Sequence, residues 1–146
     1  MEGTVESIEV SAAPAQVFAV AADLESYEQW ATGVKEVEVL EKDKKGRALR
    51  ARFVVDGMIK EITYVLNYTY DEPNSMSWVA EPGPDLNQLE CSYVFNDAGE
   101  GRTEVVYGLR VEPGFTIPGF LRRQAEKQLV GTALRGLRKR VEQLGD

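Results

Sequence analysis

Five aromatic side chains with a polar edge carry most of the chemistry this sequence can offer. Tyr64, Tyr68, Trp78, Tyr93 and Tyr107 fall at alternate positions of strand-like stretches, on the same side as the apolar residues. Buried tyrosine hydroxyls need hydrogen-bond partners, and several converging on one interior fit a greasy pocket with a few polar handles. Aromatic stripes at strand spacing are more often plain core than site. A second set tips the reading toward a pocket. Gln124, Gln128 and Thr132 form a row along the last helix, among Ile117, Phe120 and Leu121, on the side read as inward. Neutral amides on an inward face need partners too, whether strand side chains, trapped water or a ligand. Trp30 and Phe120 are placed at the mouth of this pocket.

The chain has no histidine. A Ser-His-Asp or Cys-His pair and a histidine metal site are therefore excluded, and acid–base work would fall to Asp, Glu, Tyr or Lys. No metal and no cofactor is expected. The lone cysteine, Cys91, sits on an inward stripe and reads as core rather than nucleophile. Asp56 and Lys60 flank Gly57-Met58-Ile59 and read equally well as hairpin-turn residues. Arg50, Arg52 and Glu90 alternate with apolar neighbours and are expected to point outward. No acid–base pair stands out, and the sequence singles out none of the tyrosines as a proton donor.

The elements that must position these residues follow from periodicity. Residues 4 to 11 alternate as a strand, with Ile8 and Val10 on one side. Val17, Phe18, Val20 and Ala21 predict a short helix, and a second one, capped by Asp23 or Ser26, ends near Trp30. From Val34 the period becomes two. Strands are joined by the turns at Lys42–Gly46 and Glu72–Ser75, by a break at Pro82–Asp85 and by the hairpin turn at Asp97–Arg102. One strand brings Ile62, Tyr64, Leu66, Tyr68 and Tyr70 to one face, and another aligns Leu89, Cys91, Tyr93 and Phe95. The last helix is expected from Ile117 to Leu144, with Thr116 as N-cap and Pro118 in its first turn. Its two halves do not share one apolar face, and the stripe turns over near Gly131. Gly131 and Gly136 each cost about 1 kcal/mol against alanine in a helix, which suggests close approach to sheet backbone or to a bound molecule. The order is β-α-α, six further strands, then α. Short turns make the sheet an antiparallel meander with one buried face, and only the last helix is long enough to cover it.

With 146 residues, 43% hydrophobic and 28% charged, the chain reads as a single soluble domain spanning residues 1–146. No stretch is long enough to span a bilayer and no secretory leader is visible, so the cytoplasm is the expected location. The lone cysteine agrees with a reducing compartment. The net charge of −7 is uneven: seven Lys/Arg and two acids between residues 117 and 144 make that segment +5, and the remainder carries −12. An acidic body argues against nucleic acid as a partner. Arg122, Arg123, Glu126 and Lys127 are read as pointing away from the body, and the three cations among them offer a surface for an anionic partner or membrane.

Four stretches carry a family likeness: IEVSAAPAQVFAVAADLESYEQW, SMSWVAEPG, CSYVFNDAGEGRTEVVYGLRVEP, and IPGFLRRQAEKQLVGTALRGLRKRVE with its Pro118-Gly119-Phe120-Leu121-Arg122-Arg123 lead-in. On these the chain resembles the START-like (SRPBCC) superfamily of polyketide cyclases/dehydrases and lipid-transport proteins. It looks most like the small single-domain bacterial members. The resemblance implies an α+β helix-grip fold, a curved antiparallel sheet of about seven strands wrapped around a long C-terminal helix. It also implies a hydrophobic cavity between them. The Gly/Pro loops at residues 81–85 and 112–119 are suited to gating it.

Three readings follow. The first is a non-catalytic carrier or sensor of a hydrophobic small molecule such as a lipid, polyketide or quinone, held by Trp30, Tyr64, Tyr68, Trp78, Tyr93, Tyr107, Phe120, Gln124 and Gln128. The second is a polyketide cyclase, aromatase or dehydratase acting in the same cavity. The third is a regulatory protein docking through the basic face of the last helix. Enzymatic activity is left open, with the binder placed first.

Overall fold

The computed structural model describes residues 3–56, 60–114 and 116–145. The turn expected across Gly57–Ile59 lies outside the described residues. The elements are β1 (Thr4–Val10), α1 (Pro14–Ala22), a 3-10 turn (Leu24–Ser26), α2 (Tyr27–Trp30), β2 (Val34–Lys42), β3 (Ala48–Asp56), β4 (Glu61–Asp71), β5 (Ser75–Ala80), β6 (Leu86–Gly99), β7 (Arg102–Pro113) and α3 (Gly119–Leu144). This is the expected α+β helix-grip arrangement. Seven antiparallel strands run in the order β1-β7-β6-β5-β4-β3-β2. The meander from β2 to β7 is the one the short turns dictate. The first strand joins it at the far edge, where Thr4 pairs with Leu109 and Val10 with Thr103. The β6–β7 hairpin turns on Glu100 and Gly101, with φ of 56° and 73°. Two positive values in a row give a tight turn whose twist matches its strands. Among the described residues no helix is long and apolar enough to cross a membrane.

One end of the sheet is closed by α1. Val17, Phe18 and Ala21 point down from it and are buried. Phe18 meets Tyr70 and Phe95 edge-on, with ring centroids 6.1 and 6.0 Å away. Against this plug lies the second half of α3: Val130, Leu134, Leu137 and Val141 are all buried there. The helix is seated by these four residues.

The first half of α3 behaves differently, and the inward face read from the sequence is corrected here. Gln124 and Gln128 are exposed, and Phe120 is 65% exposed. The side turned to the protein carries Glu126, only 7% exposed, which accepts hydrogen bonds from Arg122 Nε at 3.2 Å and from Thr4 Oγ1 at 3.3 Å. Arg122 also donates to the Val111 carbonyl. Arg122 is therefore no part of a free basic face; Arg123 and Lys127 do remain exposed. The physical reason is the reference direction. Ile117, Leu121, Ala125 and Leu129 form an apolar stripe, but the seat of the second half fixes the helix rotation, and that turns the stripe sideways. Helix α3 also starts two residues later than expected. Pro118 stays extended, with ψ of 139°, and caps the helix with its carbonyl, which accepts from Arg122 N at 3.0 Å.

The two halves of α3 should respond differently to truncation. Leu137→Ala is expected to cost about 2–5 kcal/mol of unfolding free energy by the cavity it leaves. Leu129→Ala, at a position 48% exposed, should cost less than about 1 kcal/mol. Urea denaturation followed by tryptophan fluorescence decides this, and equal losses would contradict the seating described.

Candidate functional site

The first half of α3 is tied to β1 and β7 by polar contacts, and space remains beneath it. A chamber of about 210 Å³ lies between α2, α3 and the concave face of β3 to β7. Its wall includes six of the residues expected from sequence: Trp30, Tyr64, Tyr68, Trp78, Tyr93 and Tyr107. Strand register brings them together. Tyr68 pairs with Trp78, Trp78 with Cys91 and Cys91 with Leu109, one row across four strands. Tyr93 pairs with Tyr107 in the next row. Trp78 stacks on Tyr68 at 5.4 Å, and Tyr93 and Tyr107 meet edge-on at 4.8 Å.

Phe120, Gln124 and Gln128 do not line the chamber, for the reason given above. Of the helix row, only Thr132 does, together with Leu129, Ala133 and Gly136. Sequence reasoning missed Tyr27, Phe53, Leu89, Leu109 and Asp56 as wall residues. The alternation that places Phe53, Leu89 and Leu109 inward was visible in the sequence. Nothing in it said that these positions face space rather than another side chain. At Gly136 a methyl group would lie 3.7 Å from the Trp30 ring, an ordinary contact with α2 and not the close approach to sheet backbone that its helix-weakening cost suggested. Gly131 lies instead against its own helix's Arg135.

A second cavity of about 150 Å³ adjoins the first. It shares Val55, Asp56, Tyr64, Leu89, Leu109 and Leu129 with the chamber and runs on past Ile62, Leu86, Val111, Ile117 and Ala125 to the Arg122–Glu126 pair. This arm is almost wholly aliphatic. Leu129, about half exposed, and exposed Asp56 belong to both cavities, so the compartment meets solvent between them. The two Gly/Pro loops read as gates are tied together at the far end. Gly114 N donates to the Asp85 carbonyl at 3.0 Å, and any side chain at Gly114 would meet the Pro84 carbonyl at 2.6 Å. Asp85 is in turn held by Lys60 at 2.8 Å.

Tyr27 donates to the Ala21 carbonyl, and Tyr107 and Trp78 stand beside Cys91 and favour its ionised form slightly. The indole nitrogen of Trp30 is buried and has no hydrogen-bond partner among the described residues. Burial pushes Tyr64, Tyr68, Tyr93 and Tyr107 well above the ordinary phenol range, since a phenolate there would lose its hydration. Burial likewise pushes the Cys91 thiol up to about 12, and Tyr107 and Trp78 offset only part of this. The chamber therefore presents neutral hydroxyls and a neutral thiol. Among the described residues no group of three or more His, Cys, Asp or Glu is placed to hold a metal ion.

Cys91 should accordingly resist alkylation. At about pH 8, where an ordinary thiol is partly ionised, iodoacetamide is expected to label the native protein far more slowly than the urea-unfolded chain. Comparable rates, read by intact-mass spectrometry, would show that the sulfur is open to solvent.

A family model described as polyketide cyclase / dehydrase and lipid transport matches residues 1–142. Among solved structures, a START superfamily protein from Mycobacterium smegmatis superposes with a TM-score of 0.89 at 22% identity, over 97% of this chain and 98% of that one. A protein from Thermus thermophilus gives 0.85 at 26% identity, over 99% and 100%. The Zhui aromatase/cyclase from a Streptomyces species gives 0.86 at 15% identity, over 99% and 96%. Among curated protein sequences there is no significant match.

Proposed function

Because the chain belongs to the family of polyketide cyclases/dehydrases and lipid-transport proteins, we propose that it binds a hydrophobic small molecule between the sheet and α3, as a carrier or sensor. The observation that carries this reading is the chamber itself, enclosed between α2, α3 and the sheet and walled by Trp30, Trp78, Tyr64, Tyr68, Tyr93 and Tyr107. Amphipathic aromatics around an interior space give an apolar site with a few polar groups to orient a guest. The volume supports the same reading. A cavity of roughly 150 Å³ with aliphatic walls holds a benzene-sized guest, and here a comparable arm adjoins a larger chamber.

A carrier is favoured over a cyclase or dehydratase acting in the same compartment. General acid–base catalysis works best with a group whose pKa lies near the operating pH. Burial holds the tyrosines and Cys91 above that range, so near neutrality they stay protonated and none is poised as a general base. The cyclase reading would call on Asp56, whose carboxylate lies where both cavities meet solvent.

Uptake of a neutral naphthalene dye as an apolar fluorescent probe should be saturable and one-to-one. Thr132→Trp, which fills the chamber from the helix side, should weaken it at least about tenfold with little change in melting temperature. Uptake untouched by that substitution would place binding elsewhere on the protein. Absence of saturable uptake, together with native mass spectra free of any co-purified molecule, would overturn the proposal.

A further inference from the structure

The cations of this protein fall into two populations. Ten of the 17 lysines and arginines lie outside α3. Eight of those are in ion pairs, and among the described residues only Lys44 and Arg110 form none. On α3 the proportion inverts. Of its seven cations only Arg122 is paired, with Glu126. The chain does not lack acids, since it carries 24 Asp and Glu. They are kept off this face. Of the two on the helix, Glu126 is buried and Glu142 accepts a hydrogen bond from Ser11 N at 2.9 Å. Glu6 and Glu112 share a cleft with Arg123 and Lys127 on the β1 side and pair with neither.

The helical repeat gathers the free cations into one field. At roughly 100° per residue Phe120, Lys127 and Arg138 lie almost in line, with Arg123 about 60° to one side and Arg135 about 60° to the other. Arg123, Lys127, Arg135 and Lys139 are exposed. From the first to the last of them the helix rises about 24 Å. At the N-terminal end of the same field stand Phe120 and Leu121, both exposed. The opposite side of the helix is already seated by Val130, Leu134, Leu137 and Val141. The outward face is therefore formed and free without any rearrangement.

Unpaired cations in a row attract an anionic surface. The outward side of a single helix is convex, and a plane meets it along its whole length. Phe and Leu among cations are the composition of a helix that lies in the interfacial layer of an anionic membrane. An acidic protein would answer the charges but would have to supply an apolar seat for Phe120 as well. The bilayer interface supplies both at once.

We infer that the outward face of α3 docks on an anionic lipid bilayer, with Phe120 and Leu121 below the headgroups and Arg123, Lys127, Arg135 and Lys139 against them. The inference uses no residue of the chamber, so it stands or falls apart from the binding reading.

Sedimentation with vesicles tests it. Wild type should bind vesicles of phosphatidylcholine with about 30% phosphatidylserine at least about tenfold more tightly than pure phosphatidylcholine. Raising salt from about 50 to about 300 mM should weaken that binding. Arg123→Glu combined with Lys127→Glu should lower it at least about tenfold. Phe120→Ser, at unchanged charge, should lower it about three- to tenfold. Lys44→Glu reverses an exposed, unpaired lysine on the β2–β3 turn and should change it less than about twofold. The double variant should melt as wild type does and still take up the naphthalene probe. Equal binding to both vesicle types, or a loss in Lys44→Glu as large as in the double variant, would overturn the assignment of this face. Affinity unmoved by Phe120→Ser would overturn insertion of the apolar tip. Absence of vesicle binding alongside tight binding of polyglutamate would overturn the membrane and assign the face to an acidic polypeptide.

Discussion

The structure depends on how its terminal helix is held. The C-terminal half of α3 is wedged by Val130, Leu134, Leu137 and Val141 against α1 and the closed end of the sheet. That contact is apolar, close and built from fully buried side chains. It fixes both the rotation and the tilt of the helix. The helix runs along β1, and its N-terminal half is tied there by polar contacts, in which Glu126 takes hydrogen bonds from Arg122 and Thr4, and Arg122 reaches the Val111 carbonyl on β7. Glu126 is buried and Arg122 only one-third exposed, so removing either partner would leave an uncompensated charge at the helix.

The compartment lies beneath that N-terminal half. Side chains on β3 to β7 that would otherwise meet helix residues meet space. The register of the sheet then decides which ones they are. The row Tyr68–Trp78–Cys91–Leu109 and the pair Tyr93–Tyr107 fall in its wall. The rings farther along, Phe18, Tyr70 and Phe95, fall under α1 and are packed. Tyr70 illustrates the contrast. Its hydroxyl donates to the Ala48 carbonyl at 2.6 Å, and the Arg47 guanidinium lies 4.9 Å from its ring centre. It sits on the same face of the same strand as Tyr64 and Tyr68, yet it is a structural residue.

The chemistry inside the compartment is set by dielectric more than by charge. Burial raises the cost of ionising a phenol or thiol, so each stays protonated and acts through its O–H or S–H dipole. Hydrogen bonds made there are stronger than in water, and those left unmade are more costly.

Much of this was legible in the amino-acid sequence. The period-two alternation put Tyr64, Tyr68, Trp78, Tyr93 and Tyr107 on one face, and side chains that alternate about a strand have no other choice. The turn residues set the meander, and the absence of histidine bounded the chemistry. The rotation of α3 was not legible. Periodicity gives the angles between residues on a helix but no origin for them. A helix carrying two apolar stripes, Ile117–Leu129 and Val130–Val141, can present either one. The arrival of α1 chose the second, which carried Gln124 and Gln128 into solvent and Glu126 inward. Nor could alternation tell Tyr70 from Tyr68. Whether an inward side chain meets another side chain or a cavity depends on what stands opposite, and tertiary packing alone supplies that.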